Sequence, residues 1–213
     1  MGVYALTLFV TALASVIAYD WVSDAPNWTA IYVRAALATS IIYFGGSATL
    51  IAIKWLAVGR FTSEPIPLWT TKYLRFWIAR TVIHANPLNL LAGTPLYTAY
   101  LRLLGMRVGS NTLILSLPPV CTDLFSIGDN SVIRHDSVFP GYTAHNGYIY
   151  PGTISIGSDV LICEATVLDI NTAMGDGSQL GTTSALLEGQ VVPAGAKYQG
   201  SPAEPTTTNY NRV

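Results

Sequence analysis

The chain has 213 residues, of which 51% are hydrophobic and only 11% charged, against about 25% charged in an ordinary soluble domain. That balance excludes a disordered chain and argues against a fully soluble one. Eleven basic and twelve acidic side chains nearly cancel, which leaves no charge excess to hold nucleic acid, and two cysteines are too few for a disulfide scaffold.

Composition changes along the chain. All five tryptophans lie in the first 77 residues, and thirteen of the eighteen glycines lie at or after Gly105. Three domains are expected: a two-helix membrane hairpin (1–60), an interfacial, amphipathic helical connector (61–104) and a repeat domain (105–213).

Residues 1–19 carry no charge. At about 1.5 Å per residue they reach roughly 28 Å, close to the hydrocarbon thickness of a bilayer. A signal peptide is the rival reading, but it requires a basic n-region that this run lacks. Residues 35–53 form a second uncharged run, bracketed by Arg34 and Lys54, whose long side chains can reach headgroups from the helix ends. The loop between the runs carries Asp20 and Asp24, whereas the segment after them carries Lys54, Arg60, Lys72, Arg75 and Arg80. The positive-inside rule therefore predicts an integral membrane protein with the repeat domain in the cytoplasm. The sequon at Asn27-Trp28-Thr29 would lie on the outer loop, too close to the membrane to be used. Residues 66–84 interleave Leu68, Tyr73, Phe76 and Trp77 with Lys72, Arg75 and Arg80. That mixture predicts a helix in the headgroup plane, with a helix packed on the next domain as the alternative.

From Ile156 an apolar residue recurs every sixth position: Ile162, Leu168, Met174, Leu180, Leu186, Val192 and Tyr198. Four residues after each stands a second column, mostly small or β-branched, including Val160, Thr166, Thr172, Ser178, Ser184 and Ala196. The same spacing appears at Ile127, Ile133 and Phe139. A six-residue period predicts a parallel β-helix, of about four coils, in which the apolar residue points inward and the small residue fits the corner. The rhythm breaks once, between Phe139 and Ile156. A loop of about eleven extra residues leaves the prism there, containing Tyr142, His145, Tyr148 and Tyr150.

The hexads, and the closing run from Val192 to Ala203, resemble the hexapeptide-repeat (trimeric LpxA-like) acyltransferases. Lys54-Trp55, Gly59-Arg60, Pro67-Leu-Trp69, Gly93-Thr-Pro95, Leu101-Arg-Leu-Leu-Gly105, Thr122-Asp-Leu124, Ile127-Gly-Asp129 and Gly200-Ser-Pro-Ala203 resemble the C-terminal membrane region of ε-poly-lysine-synthetase-type nonribosomal peptide synthetases. The resemblance implies an α+β chain, with a transmembrane helical hairpin joined to a single-stranded left-handed parallel β-helix. It implies acyl or aminoacyl transfer from carrier-bound thioesters, forming or releasing an amide. A phosphopantetheine or coenzyme A thioester would be the substrate, with no tightly bound cofactor. The implied partners are the membrane, a carrier protein or adenylating synthetase, and sister copies in a homotrimer or pseudo-trimer. The other reading is a non-catalytic scaffold that oligomerises and anchors a synthetase.

Acyl transfer to an amine needs a base and donors for the oxyanion. Where the acetyltransferases place Gly-His before a loop excursion, this chain has Gly141-Tyr142, and a tyrosine with a pKa near 10 is a poor base at neutral pH. The candidate catalytic bases are then His145, in the same loop, and His135, beside Asp136. Asp123, Tyr142 and Tyr148 are the candidate substrate-binding residues, although Asp123 also suits a turn cap. His84 reads as a headgroup contact, and Cys121 as a weak candidate nucleophile. No ligand spacing suggests zinc, so no metal is expected.

Overall fold

The computed structural model describes residues 2–210. Met1, at the start of the first expected span, and residues 211–213, at the end of the expected repeat domain, lie outside the described residues. Two long helices come first, α1 (Gly2–Ser23) and α2 (Trp28–Ala57), packed against each other. Asn27 starts the second helix, its side-chain oxygen accepting the Ala30 amide at 2.8 Å, as an N-cap does. The asparagine of the sequon is thus engaged in capping. Arg34 donates to the Trp21 carbonyl across the turn at 2.8 Å. By length and composition α2 could cross a membrane, and only 17% of its most apolar window is buried, so the rest of the chain leaves it largely uncovered.

The expected helix over 66–84 is shorter than its span. Ile66–Pro67 is a two-residue strand, and α3 (Thr71–His84) begins after Thr70, whose hydroxyl accepts the Tyr73 amide at 3.3 Å. Pro65 and Pro67 hold the entry extended. Phe76, Ala79, Val82 and Ile83 bury one side of α3. A fourth helix, α4 (Pro95–Leu103), is capped by Thr94 and packs on the first strands of the repeat.

The hexads fold into a parallel β-solenoid of about five turns. On one face Arg107–Val108, Phe125–Ile127, Ile154–Ile156, Thr172–Met174 and Val191–Val192 lie in parallel register. On the next, Leu113–Ile114, Val132–Ile133, Leu161–Ile162, Gln179–Leu180 and Lys197–Gln199 do the same. The third face pairs Val138 with Val167, and Val167–Leu168 with Ala185–Leu186. The apolar column thus alternates among three faces and returns to each after three hexads. The first layer, at Arg107 and Leu113, lies upstream of the counted hexads, so the stack is taller than the sequence count of about four coils.

The small column fits the corners as expected. It does not itself turn the chain. Thr166, Thr172, Ser178 and Ser184 are buried inside it. The residue before each carries a left-handed φ, at Ala165, Asn171, Gly177 and Thr183. The preceding residue makes the bend, and the next one must be small because it points into the narrowed corner.

These inward hydroxyls are unequal. Ser131 Oγ donates to the Gly157 carbonyl at 2.9 Å and accepts the Val160 amide at 3.1 Å, whereas Ser178 Oγ is buried without a partner. Ser131→Ala is therefore expected to cost about 1–3 kcal/mol, because it strands the buried Val160 amide. Ser178→Ala should be neutral or slightly stabilising. Denaturant midpoints of the two variants check this.

Both ends of the solenoid are covered. Tyr97 and Tyr100 of α4 are fully buried at the first turn, Tyr97 donating to the Ser116 carbonyl at 2.8 Å. At the last turn Glu204–Pro205 adds an antiparallel strand, and the Tyr210 hydroxyl bonds Gln199 at 2.7 Å.

Candidate functional site

The excursion after Phe139 is a hairpin rather than an irregular loop. Tyr142–His145 and Tyr148–Pro151 pair antiparallel, and the second strand also pairs with Ile66–Pro67. Asn146 and Gly147 form its turn with φ of 48° and 79°. A two-residue hairpin turn of this kind needs both values positive, which Asn-Gly supplies at little cost. The hairpin therefore joins the solenoid to the connector.

Between its foot and α3 lies an open cleft of about 500 Å³. Arg80 and His84 enter it from α3, four residues apart and hence on one face. Ser116, Asp136, Phe139 and Tyr142 line it from the solenoid side. Phe76 of α3 meets the Tyr142 ring edge-on at 5.1 Å, which fixes the tyrosine at the cleft wall. Partial desolvation and the neighbouring Arg80 guanidinium pull the His84 pKa below 6.5, against the nearby Pro118 carbonyl, which raises it.

The other candidates lie elsewhere. His145 is exposed on the hairpin, stacked on Tyr150 at 4.2 Å with ring planes 15° apart. Tyr148 stands beside the same ring at 6.1 Å. His135 is exposed at a solenoid corner, next to the Arg134–Glu164 ion pair of 3.1 Å. Of the sequence candidates, only Tyr142 lines the cleft. Arg80 and His84 were not assigned to it from the sequence, because a distant helix brings them there. Their four-residue spacing was the available signal.

Asp123 sits in a buried hub. Its carboxylate accepts Lys54 Nζ at 2.9 Å and the Phe61 amide at 3.1 Å. Lys54, fully buried, also donates to the Gly59 and Leu104 carbonyls at 3.0 and 2.9 Å. The end of α4 is capped from three sides, by Lys54, by Thr122 on the Leu104 carbonyl and by Trp55 on the Leu103 carbonyl. Cys121 lies beside this hub, and burial pushes its thiol up to about 12. A thiol so raised is protonated at neutral pH and a poor nucleophile. Among the described residues no group of three or more His, Cys, Asp or Glu is placed to hold a metal ion.

No protein-family model matches the chain. It is similar to the delta-poly-L-ornithine synthetase of Acinetobacter baumannii (strain AB307-0294), with 27% identity over 173 residues. The match covers 78% of this chain and 13% of that protein, so the chain spans a small part of its relative's length. A hexapeptide-repeat-containing acetyltransferase from Vibrio cholerae O1 biovar eltor, crystallised with acetyl-coenzyme A, aligns with a TM-score of 0.51 and 19% identity. That alignment covers 74% of this chain and 97% of the acetyltransferase, and it shows a shared fold. A galactoside acetyltransferase in complex with coenzyme A aligns over 68% of this chain and 86% of its own, at 17% identity and a TM-score of 0.46.

Proposed function

We propose that the chain is a membrane-anchored acyl- or aminoacyl-transferase unit of a nonribosomal peptide synthetase system. It makes or releases an amide from an acyl group held as a carrier or coenzyme A thioester. The observation that carries this reading is the cleft at the foot of the hairpin, in a fold shared with an acetyltransferase crystallised with acetyl-coenzyme A. The similarity to a poly-ornithine synthetase supports amide chemistry.

The uncovered apolar surface of α2 supports anchoring. The basic residues after it support a cytoplasmic solenoid, with 1–60 as hairpin, 61–104 as connector and 105–213 as repeat domain. We read the coil as left-handed and the active form as a homotrimer, or a pseudo-trimer with related domains, as the hexapeptide-repeat resemblance implies. Asp136, Tyr142 and the cleft wall would receive the substrate, while the exposed Tyr148 and His145, beside the half-buried Tyr150, offer a docking face for a carrier protein.

A second reading is a non-catalytic oligomerisation and anchoring scaffold. Gly141-Tyr142 favours it, since a tyrosine stands where the related enzymes place a histidine. The chain purified in detergent, incubated with acetyl-coenzyme A or an aminoacyl-pantetheine thioester and a primary amine, separates the two. Transfer predicts an amide by mass spectrometry and one free thiol per amide. A folded oligomer that yields neither is a scaffold. His135→Ala and His145→Ala in the same assay test the two histidines suggested by the sequence.

A further inference from the structure

We infer that His84 on α3 is the base that takes the proton from the attacking amine. The inference rests on the acyl-transfer reading above and adds the residue and its source in the fold. The solenoid carries Tyr142 where its resemblance leads one to expect a histidine, and His84 lines the same cleft as that tyrosine. The helix that carries His84 is locked to the hairpin through Phe76 and Tyr142 at 5.1 Å. An imidazole is thus returned to the cleft from a different element.

The surroundings suit a base. His84 lies one helical turn from Arg80 on the cleft-facing side of α3, and a neutral imidazole there can accept a proton at a ring nitrogen. The ionisable groups that share the cleft are Arg80 on the same helix, and Asp136 and Tyr142 on the solenoid. Arg80 favours the neutral ring, the form that accepts a proton, and its positive charge faces the cleft in which an oxyanion would form.

The step balances within the named reactants. The amine nitrogen attacks the thioester carbonyl carbon, and a carbon–nitrogen bond forms as the amine proton passes to His84. The tetrahedral oxyanion collapses and the carbon–sulfur bond breaks. The thiolate leaves and takes the proton from the imidazolium, which restores the neutral ring. The products are one amide and one thiol.

The test uses the full chain in detergent, with acetyl-coenzyme A or ornithyl-pantetheine thioester as donor and L-ornithine as amine. His84→Ala is expected to lower kcat by roughly 10²- to 10⁴-fold, with KM little changed and with wild-type melting. Added imidazole should restore part of the rate, which it would not do for a merely structural residue. The wild-type rate should fall as pH drops through an ionisation below 6.5, because protonation removes the base, and His84→Gln should abolish that limb. An active wild type whose rate survives His84→Ala would overturn the assignment and leave the transfer reading standing. Loss confined to His135→Ala or His145→Ala would do the same. A folded wild type that makes no amide from either donor would overturn both.

Discussion

Asp123→Ala is expected to destabilise the chain by about 3–5 kcal/mol, the cost of stranding one partner of a buried ion pair. Lys54 is 0% exposed and Asp123 only 9%, so water cannot take over the lost contact. The two carbonyls on Lys54 Nζ remain, at Gly59 and Leu104, but neither carries a full charge. At this chain length roughly 2–4 °C of melting temperature is lost per kcal/mol, so a fall of about 10 °C is expected. The exposed pair Lys72–Glu64, 3.8 Å apart at 66% and 75% exposure, is the comparison. Glu64→Gln should change stability by less than about 1 kcal/mol. The double variant Lys54→Met with Asp123→Leu should lose less than the sum of its single variants, because both charges leave together. Thermal melts of the detergent-solubilised chain read all of these. A loss from Asp123→Ala no larger than that from Glu64→Gln would sink the account.

The hub also shows what could be read ahead of the structure. A lysine at the end of an apolar run and an aspartate at the start of the repeat were both visible. Their pairing was not, because it spans 69 residues and periodicity reports only local geometry. The same limit hid the cleft. Arg80 and His84 were read as a headgroup-facing stripe, since nothing local tells a helix packed on a membrane from one packed on a solenoid. The solenoid was legible because its constraint repeats: every sixth side chain must be apolar where it points into the prism. The corners were less so. Asn171 and Gly177 are residues that tolerate positive φ, whereas Ala165 and Thr183 take it against their preference and leave no mark in the sequence. The hairpin was a different case: the segment was read only as a loop, although Asn146-Gly147 between its tyrosines is a strong local signal for paired strands.

Leu186 and Leu187 put the register itself to the test. They are adjacent and chemically identical, and a one-residue slip would exchange their roles. Leu186 is 0% exposed and pairs with Leu168 on the third face, whereas Leu187 is 52% exposed. Leu186→Ala is therefore expected to cost about 2–5 kcal/mol, the transfer energy plus the cavity left in a close-packed interior. Leu187→Ala should stay within roughly 0.5 kcal/mol for the fold of a single chain. Equal losses in denaturant titrations would refute the placement of the apolar column. Leu187 also shares the outer surface with Val191, 59% exposed. In an oligomer whose seam runs over that surface, Leu187→Ala would act on assembly rather than on the fold. Its effect would then grow on dilution, whereas that of Leu186→Ala would not, because a cavity inside one solenoid is the same at every protein concentration.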